Sequence, residues 1–134
     1  MSRQYKIKTM MIVDDSAIDQ LLYRRIIGRS GIVENIIAFQ SAIEALAYLK
    51  LLERDEIDVI LLDINMPLMN GFEFLEQLSD ILGSEFAACV VIMLTTSLDP
   101  ADEARANEFE AVRAYLNKPL TIEDLENVAG LLTQ

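Results

Sequence analysis

Five short apolar runs punctuate this chain, and each is followed by a longer stretch whose apolar residues recur at helical spacing. The runs are Thr9–Val13, Glu34–Phe39, Ile57–Leu62, Cys89–Leu94 and Arg113–Asn117. The first, third and fourth are close to continuously apolar instead of alternating with polar residues. Strands of that kind are covered on both faces, as in a parallel sheet between helices, whereas antiparallel strands with one wet face alternate. The intervening stretches supply the helices. Residues 16–29 place Ile18, Leu21, Leu22 and Ile26 at helical spacing behind a Ser16 cap. Ser41-Ala-Ile-Glu44 has the spacing of a capping box and opens a helix with Ala42, Leu46 and Leu49 on one face. Asn70-Gly71-Phe72-Glu73 starts a helix through Leu82. Asp99-Pro100 opens an acidic helix to about Glu110. Thr121 caps a last helix containing Leu125, Val128, Ala129 and Leu132. This alternation predicts an α/β fold, a doubly wound parallel sheet of five strands flanked by five helices. With right-handed crossovers the strand order is 2-1-3-4-5.

At 134 residues the chain has the size of one domain, and 52% hydrophobic with 25% charged residues is a globular composition. No repeat, low-complexity segment or linker marks a boundary, so the expectation is a single domain over 1–134. The net charge of −11 argues against a nucleic-acid surface, which needs Lys and Arg against phosphate. Residues 1–54 carry 8 basic and 6 acidic side chains (+2), and residues 55–134 carry 3 and 16 (−13). Cys89 is the lone cysteine, as suits a reducing cytoplasm, and its apolar neighbours mark it as a small core residue. The longest apolar run, Phe86–Leu94, is about half a membrane span, and the N-terminus has no signal-peptide cleavage site. A soluble cytoplasmic protein without membrane contact is expected. Histidine is absent, which excludes Ser-His-Asp and Cys-His catalysis within the chain.

The chemistry falls at the strand ends. Asp14 and Asp15 follow the first strand, Asp63 ends the third, Thr95 the fourth and Lys118 the fifth. In an open α/β sheet the carboxyl ends of the strands at the topological switch point form the binding crevice. With order 2-1-3 that point lies between the first and third strands, so three aspartates converge. Two like charges 4 Å apart repel by about 4 kcal/mol at an effective dielectric of 20. The trio therefore needs a shared proton or a cation. Carboxylate and carbonyl oxygens suit Mg²⁺, which favours phosphate-bearing partners. A carboxylate beside such a metal can attack phosphorus, with an ammonium and a hydroxyl completing a phosphoryl cradle.

With Asp14-Asp15 after an apolar strand, Asp63-Ile-Asn-Met-Pro67 with Gly71 eight residues past Asp63, Thr95, and Lys118-Pro119, the chain resembles the receiver domain of two-component response regulators. The resemblance spans about residues 8–132, leaves no room for an output domain, and implies a stand-alone chemotaxis-type regulator with a flavodoxin-like fold. It further implies that Asp63 is the phosphoacceptor and that Asp14, Asp15, Asp63 and the Asn65 carbonyl hold Mg²⁺. Lys118 would contact the phosphoryl group, with its bond to Pro119 cis. Thr95 and Tyr115 would be the switch pair. The implied partners are a sensor histidine kinase or histidine phosphotransfer protein and an unidentified downstream target. Helix 1, bearing Tyr23, Arg24 and Arg25, resembles the family's kinase-docking surface, and Asp102, Glu103, Glu108 and Glu110 form an acidic face on the fourth helix. Such a protein is a signalling switch, not an enzyme in the ordinary sense. The family usually has glycine where Ala111 stands here, at the turn into the fifth strand. Two other classes share some of these features: a Mg²⁺-dependent phosphatase with an aspartyl nucleophile, and a receiver-like interaction module that is never phosphorylated.

Overall fold

The computed structural model describes residues 5–51 and 53–132. Residues 1–4, which bear on the N-terminal reading, lie outside the described residues. The elements in chain order are β1 (Ile7–Val13), α1 (Ala17–Ser30), β2 (Val33–Phe39), α2 (Ala42–Leu49), β3 (Val59–Asp63), α3 (Gly71–Leu82), β4 (Val90–Thr95), α4 (Pro100–Ala106), β5 (Val112–Asn117) and α5 (Ile122–Leu131). The strands form one parallel sheet of order β2-β1-β3-β4-β5, as the apolar runs require.

Two apolar cores lie on opposite faces of this sheet. On one, Met11, Val13, Ile60, Leu62, Val91 and Met93 meet Leu46, Leu49, Phe74, Leu75 and Leu78 from α2 and α3. On the other, Ile12, Leu61, Ile92 and Leu94 meet Ile27 of α1 and Leu125 and Val128 of α5. Covering both faces explains why β1, β3 and β4 lack polar alternation. No helix among the described residues is long and apolar enough to cross a membrane.

The helix caps follow the side-chain chemistry. Ser16 and Ser41 accept from the amides of Asp19 and Glu44. Asn70 with Glu73 and Thr121 with Asp124 form full capping boxes, satisfying two otherwise orphaned amides each.

Every strand differs from its expected bounds by one or two residues, as at the start of β1 at Ile7, and the end of α4 differs by more. β3 starts at Val59 instead of Ile57, and the Asp58 side chain just before it accepts from the Thr9 amide at 3.0 Å. A 3₁₀ turn, Gly83–Ala88, precedes β4, so the apolar run from Phe86 is divided between turn and strand. α4 ends at Ala106, short of Glu110. Its last carbonyls are taken by tight bonds from Glu108 and Phe109, which turn Phe109 toward the core and leave Glu108 and Glu110 beyond the helix. Ala111 is accommodated in this turn without a left-handed backbone; Leu68 alone among the described non-glycine residues has positive φ.

The larger correction concerns the face of α1. Ile18 and Leu21 are 72% and 68% exposed and Leu22 is also exposed, while Gln20, Tyr23 and Ile27 point inward. Polar residues win these positions because Gln20 and Tyr23 find buried hydrogen-bond partners at the end of β1. Ile27→Ala is expected to cost about 2–4 kcal/mol in urea denaturation. Ile18→Ala should stay within about 0.5 kcal/mol, the reverse of what an apolar-stripe reading gives.

Candidate functional site

Sheet register brings the polar strand ends to one level. Val13 pairs with Leu62, so Asp14 and Asp63 are the next positions on adjacent strands. Asp63 pairs with Leu94 and Thr95 with Asn117, and the Lys118 amide donates to the Thr95 carbonyl at 2.7 Å. One carboxylate oxygen from each of Asp14, Asp15 and Asp63 lies within 4.8 Å of the others. Asp14 and Asp63 are buried and Asp15 is exposed. The predicted convergence is therefore present.

Lys118 reaches into this group. Its Nζ donates to Asp14 Oδ2 and Asp19 Oδ2, both at 2.9 Å, and lies 3.4 Å from Asp63 Oδ1. The Lys118–Pro119 peptide bond is cis, as the resemblance implied. Burial opposes the charged ammonium, but the hydrogen bonds to Asp19 and Asp14 outweigh it, and the lysine is held well above its ordinary pKa. Asp63 is raised as well, which for a carboxylate favours the neutral form. Burial, then the Asp14 charge, push its pKa up to about 6, against the pull of Lys118.

α1 completes the cluster. Tyr23 donates its hydroxyl to Asp14 Oδ2 at 2.7 Å, and the Ser16 amide donates to Asp14 Oδ1 at 2.9 Å. Gln20 donates from Nε2 to the carbonyls of Asp14 and Phe39, tying the ends of β1 and β2 together. Burial and the bond to Asp14 raise the Tyr23 phenol above its ordinary value. Tyr23 is thus an interior anchor, not an exposed docking residue beside Arg24 and Arg25. The sequence contains Asp19 and Tyr23 one helical turn apart, but nothing in that spacing shows that the turn abuts Lys118.

Thr95 is buried, and its hydroxyl exchanges hydrogen bonds with the amide and carbonyl of Ser97. Tyr115 is half-buried on the α3 side of the sheet, and its hydroxyl meets no partner at full hydrogen-bond geometry among the described residues, with only the Asp99 backbone near it. Burial and the negative charge of Asp102 raise its pKa. Asn65 lies exposed in the β3–α3 loop, two residues beyond Asp63.

The donor set fits a divalent cation. Mg²⁺ ligands about 2.1 Å from the metal lie about 3–4 Å from one another, and the oxygens of the aspartate trio all lie within 4.8 Å of one another. Asp14, Asp15, Asp19 and Asp63 surround one ammonium, so a cation would relieve the Asp14 repulsion that adds to burial in raising Asp63.

Gly71 fixes the distance between α3 and the end of β3. A Cβ there would sit 2.8 Å from the Asp63 carbonyl and 3.1 Å from Ile64 Cα, both backbone atoms. Gly71→Ala is expected to destabilise the fold by about 1–3 kcal/mol in urea denaturation, since one of those segments must move. Asp63 gives a second test. Its folded pKa of about 6 exceeds the ordinary 3.8, so the folded chain binds this proton more tightly than the unfolded one. Stability of the metal-free protein should fall as pH rises through that window. Asp63→Asn should then stabilise it at pH 7 by on the order of 2 kcal/mol, with no gain below about pH 4, read from denaturation midpoints across pH.

Comparison with known proteins converges on one family. The family described as "Response regulator receiver domain" matches residues 10–129. The polar-differentiation response regulator DivK of Brucella ovis is 32% identical over 86% of this chain and 87% of its own length. A two component response regulator from Cytophaga hutchinsonii superposes with a TM-score of 0.89 at 30% identity, covering 95% of this chain and 97% of that one. The Mn²⁺-bound form of response regulator Rcp1 is 27% identical with a TM-score of 0.73, covering 91% of this chain and 88% of that one. Other curated relatives are much longer, and the chain spans 29% or less of their length. The acidic end of the sheet, with its lysine and threonine, thus belongs to a receiver fold, and the chain is a member of the response regulator receiver domain family.

Proposed function

We propose that this receiver domain accepts a phosphoryl group on Asp63 and uses it to switch a partner-binding face. The observation that carries the reading is the buried Asp63 carboxylate placed 3.4 Å from Lys118 and beside Asp14 and Asp15. In the proposed step a carboxylate oxygen of Asp63 attacks the phosphorus of a phosphohistidine. The P–N bond breaks, its electrons return to the imidazole, which takes up a proton, and an aspartyl phosphate forms. Asp14, Asp15, Asp63 and the Asn65 carbonyl would hold Mg²⁺, which when bound neutralises oxygens of the transferring group. Support for a divalent ion comes from the aspartate spacing and from the Mn²⁺ in Rcp1. Lys118 pairs with a phosphoryl oxygen, a charge-assisted contact.

The new group adds roughly −1.5 to −2 charge. In our reading Thr95 leaves Ser97 for a phosphoryl oxygen and Tyr115 moves with it, remodelling the face of α4, β5 and α5. The phosphodonor is a histidine kinase or a histidine phosphotransfer protein, met in the cytoplasm, and a downstream protein reads the altered face. The exposed Ile18, Leu21 and Leu22 of α1, with Arg24 and Arg25, are the surface we assign to the donor. A phosphorylation-independent interaction module is the second reading. The intact cluster of mutually repelling carboxylates around Lys118 weighs against it, because a silent module gains nothing from their charge.

Intact-mass spectrometry after incubation with acetyl phosphate, with and without MgCl₂, tests this. One Mg²⁺-dependent phosphoryl adduct is expected on the wild type and none on Asp63→Asn. No adduct on the wild type would favour the interaction module.

A further inference from the structure

The three N–H donors of the Lys118 ammonium face three carboxylates: Asp14 and Asp19 at 2.9 Å and Asp63 at 3.4 Å. The contact toward Asp63 is the long one of the three, so a closer approach of the ammonium to a phosphoryl oxygen on Asp63 draws it off one of its two short contacts. The two are not equivalent. Asp14 is 1% exposed and is also fixed by the Tyr23 hydroxyl and the Ser16 amide. Asp19 has 29% of its side chain exposed, and no second hydrogen-bond donor reaches its carboxylate among the described residues. Water can replace Lys118 at Asp19 but not at Asp14. The contact to Asp19 is the one that yields.

From this we infer that Asp19 is a positioning residue, which draws the Lys118 ammonium toward α1 in the resting protein and releases it when a phosphoryl group arrives on Asp63. The inference rests on the phosphoacceptor reading of Asp63 and deepens it. Asp19 sets how readily the resting site turns over to the phosphorylated one, by competing with the incoming anion for a single cation. It also places that control on the first turn of α1, next to the exposed Ile18 and Leu22. In the transfer itself Asp63 attacks acetyl phosphate, the bond from phosphorus to the acetyl oxygen breaks, and acetate leaves. Asp19 forms no bond in that step and acts through Lys118.

The test is a double-mutant cycle on the full chain: wild type, Asp19→Asn, Lys118→Ala and the double variant. Each is incubated with acetyl phosphate and MgCl₂ and followed by intact mass, with thermal melts of the metal-free proteins alongside. Asp19→Asn is expected to take up phosphoryl about three- to tenfold faster than wild type, and the gain should shrink to less than about twofold in the Lys118→Ala background. Asp19→Ala should behave like Asp19→Asn, which guards against a local effect of the asparagine. A purely structural role, such as an acidic residue at a helix N-terminus, would shift the melts equally in both backgrounds and leave the uptake ratio unchanged. Uptake unaltered or slowed by Asp19→Asn, or accelerated equally without Lys118, overturns the inference while Asp63 remains the acceptor. Absence of any adduct on the wild type overturns the acceptor reading and the competitor role together.

Discussion

A single half-buried ammonium holds together the ends of three parallel strands and the first turn of a helix. Lys118 leaves β5, crosses the mouth of the sheet and meets Asp14 beyond β1, Asp63 at the end of β3 and Asp19 on α1. Without that cation, Asp14 and Asp63 would face each other at the register fixed by Val13 and Leu62. A like-charged pair at such range costs about 4 kcal/mol at an effective dielectric of 20. With the cation, the repulsion is lowered but not abolished: after burial, the Asp14 charge is the next cause holding the Asp63 pKa up. The site is poised between neutralisation and excess negative charge.

That balance explains why α1 turns polar residues inward. A helix covering a parallel sheet ordinarily buries its apolar stripe. Here Gln20 and Tyr23 take interior positions because both donate to Asp14, one to its carbonyl and one to its carboxylate. Buried polar contacts of this kind contribute little net stability but fix geometry, since each donor left unpaired would be costly. The apolar residues displaced outward, Ile18 and Leu21, then stand on the surface beside the site mouth. The arrangement of the charge cluster and the character of the exposed helix face are one structural fact.

How much of this was legible follows from what each feature depends on. Strand ends were legible because Asp14, Asp63, Thr95 and Lys118 each interrupt an apolar run, and a parallel sheet puts all such ends on one side. Caps at Ser16, Asn70 and Thr121 were legible because their chemistry is local. The end of α4 was not. The acidic pattern continues to Glu110, but Phe109 is drawn into the core and ends the helix early. The face of α1 was misjudged for the same reason, since counting Ile18 and Leu21 as interior ignores what Tyr23 can reach. The contact of Asp19 with Lys118 joins residues 99 positions apart and has no local signature.

The two hydroxyls at the other side of the mouth show how such a site can be easy to leave. Thr95 spends its hydrogen bonds on Ser97, within its own loop, and so makes none to the cluster. The Tyr115 hydroxyl is buried with no partner at full hydrogen-bond geometry among the described residues, and only the Asp99 backbone stands near it; a buried hydroxyl left wholly unpaired costs about 1–3 kcal/mol. A conformation that gave this phenol a partner would recover part of that cost. In the proposed switch the phosphoryl group attracts Thr95 and vacates the space it occupied, and Tyr115 gains somewhere to go. The hold of the carboxylates on Lys118 at one side of the mouth and the bonds of Thr95 to Ser97 at the other are both given up to the phosphoryl group in that switch.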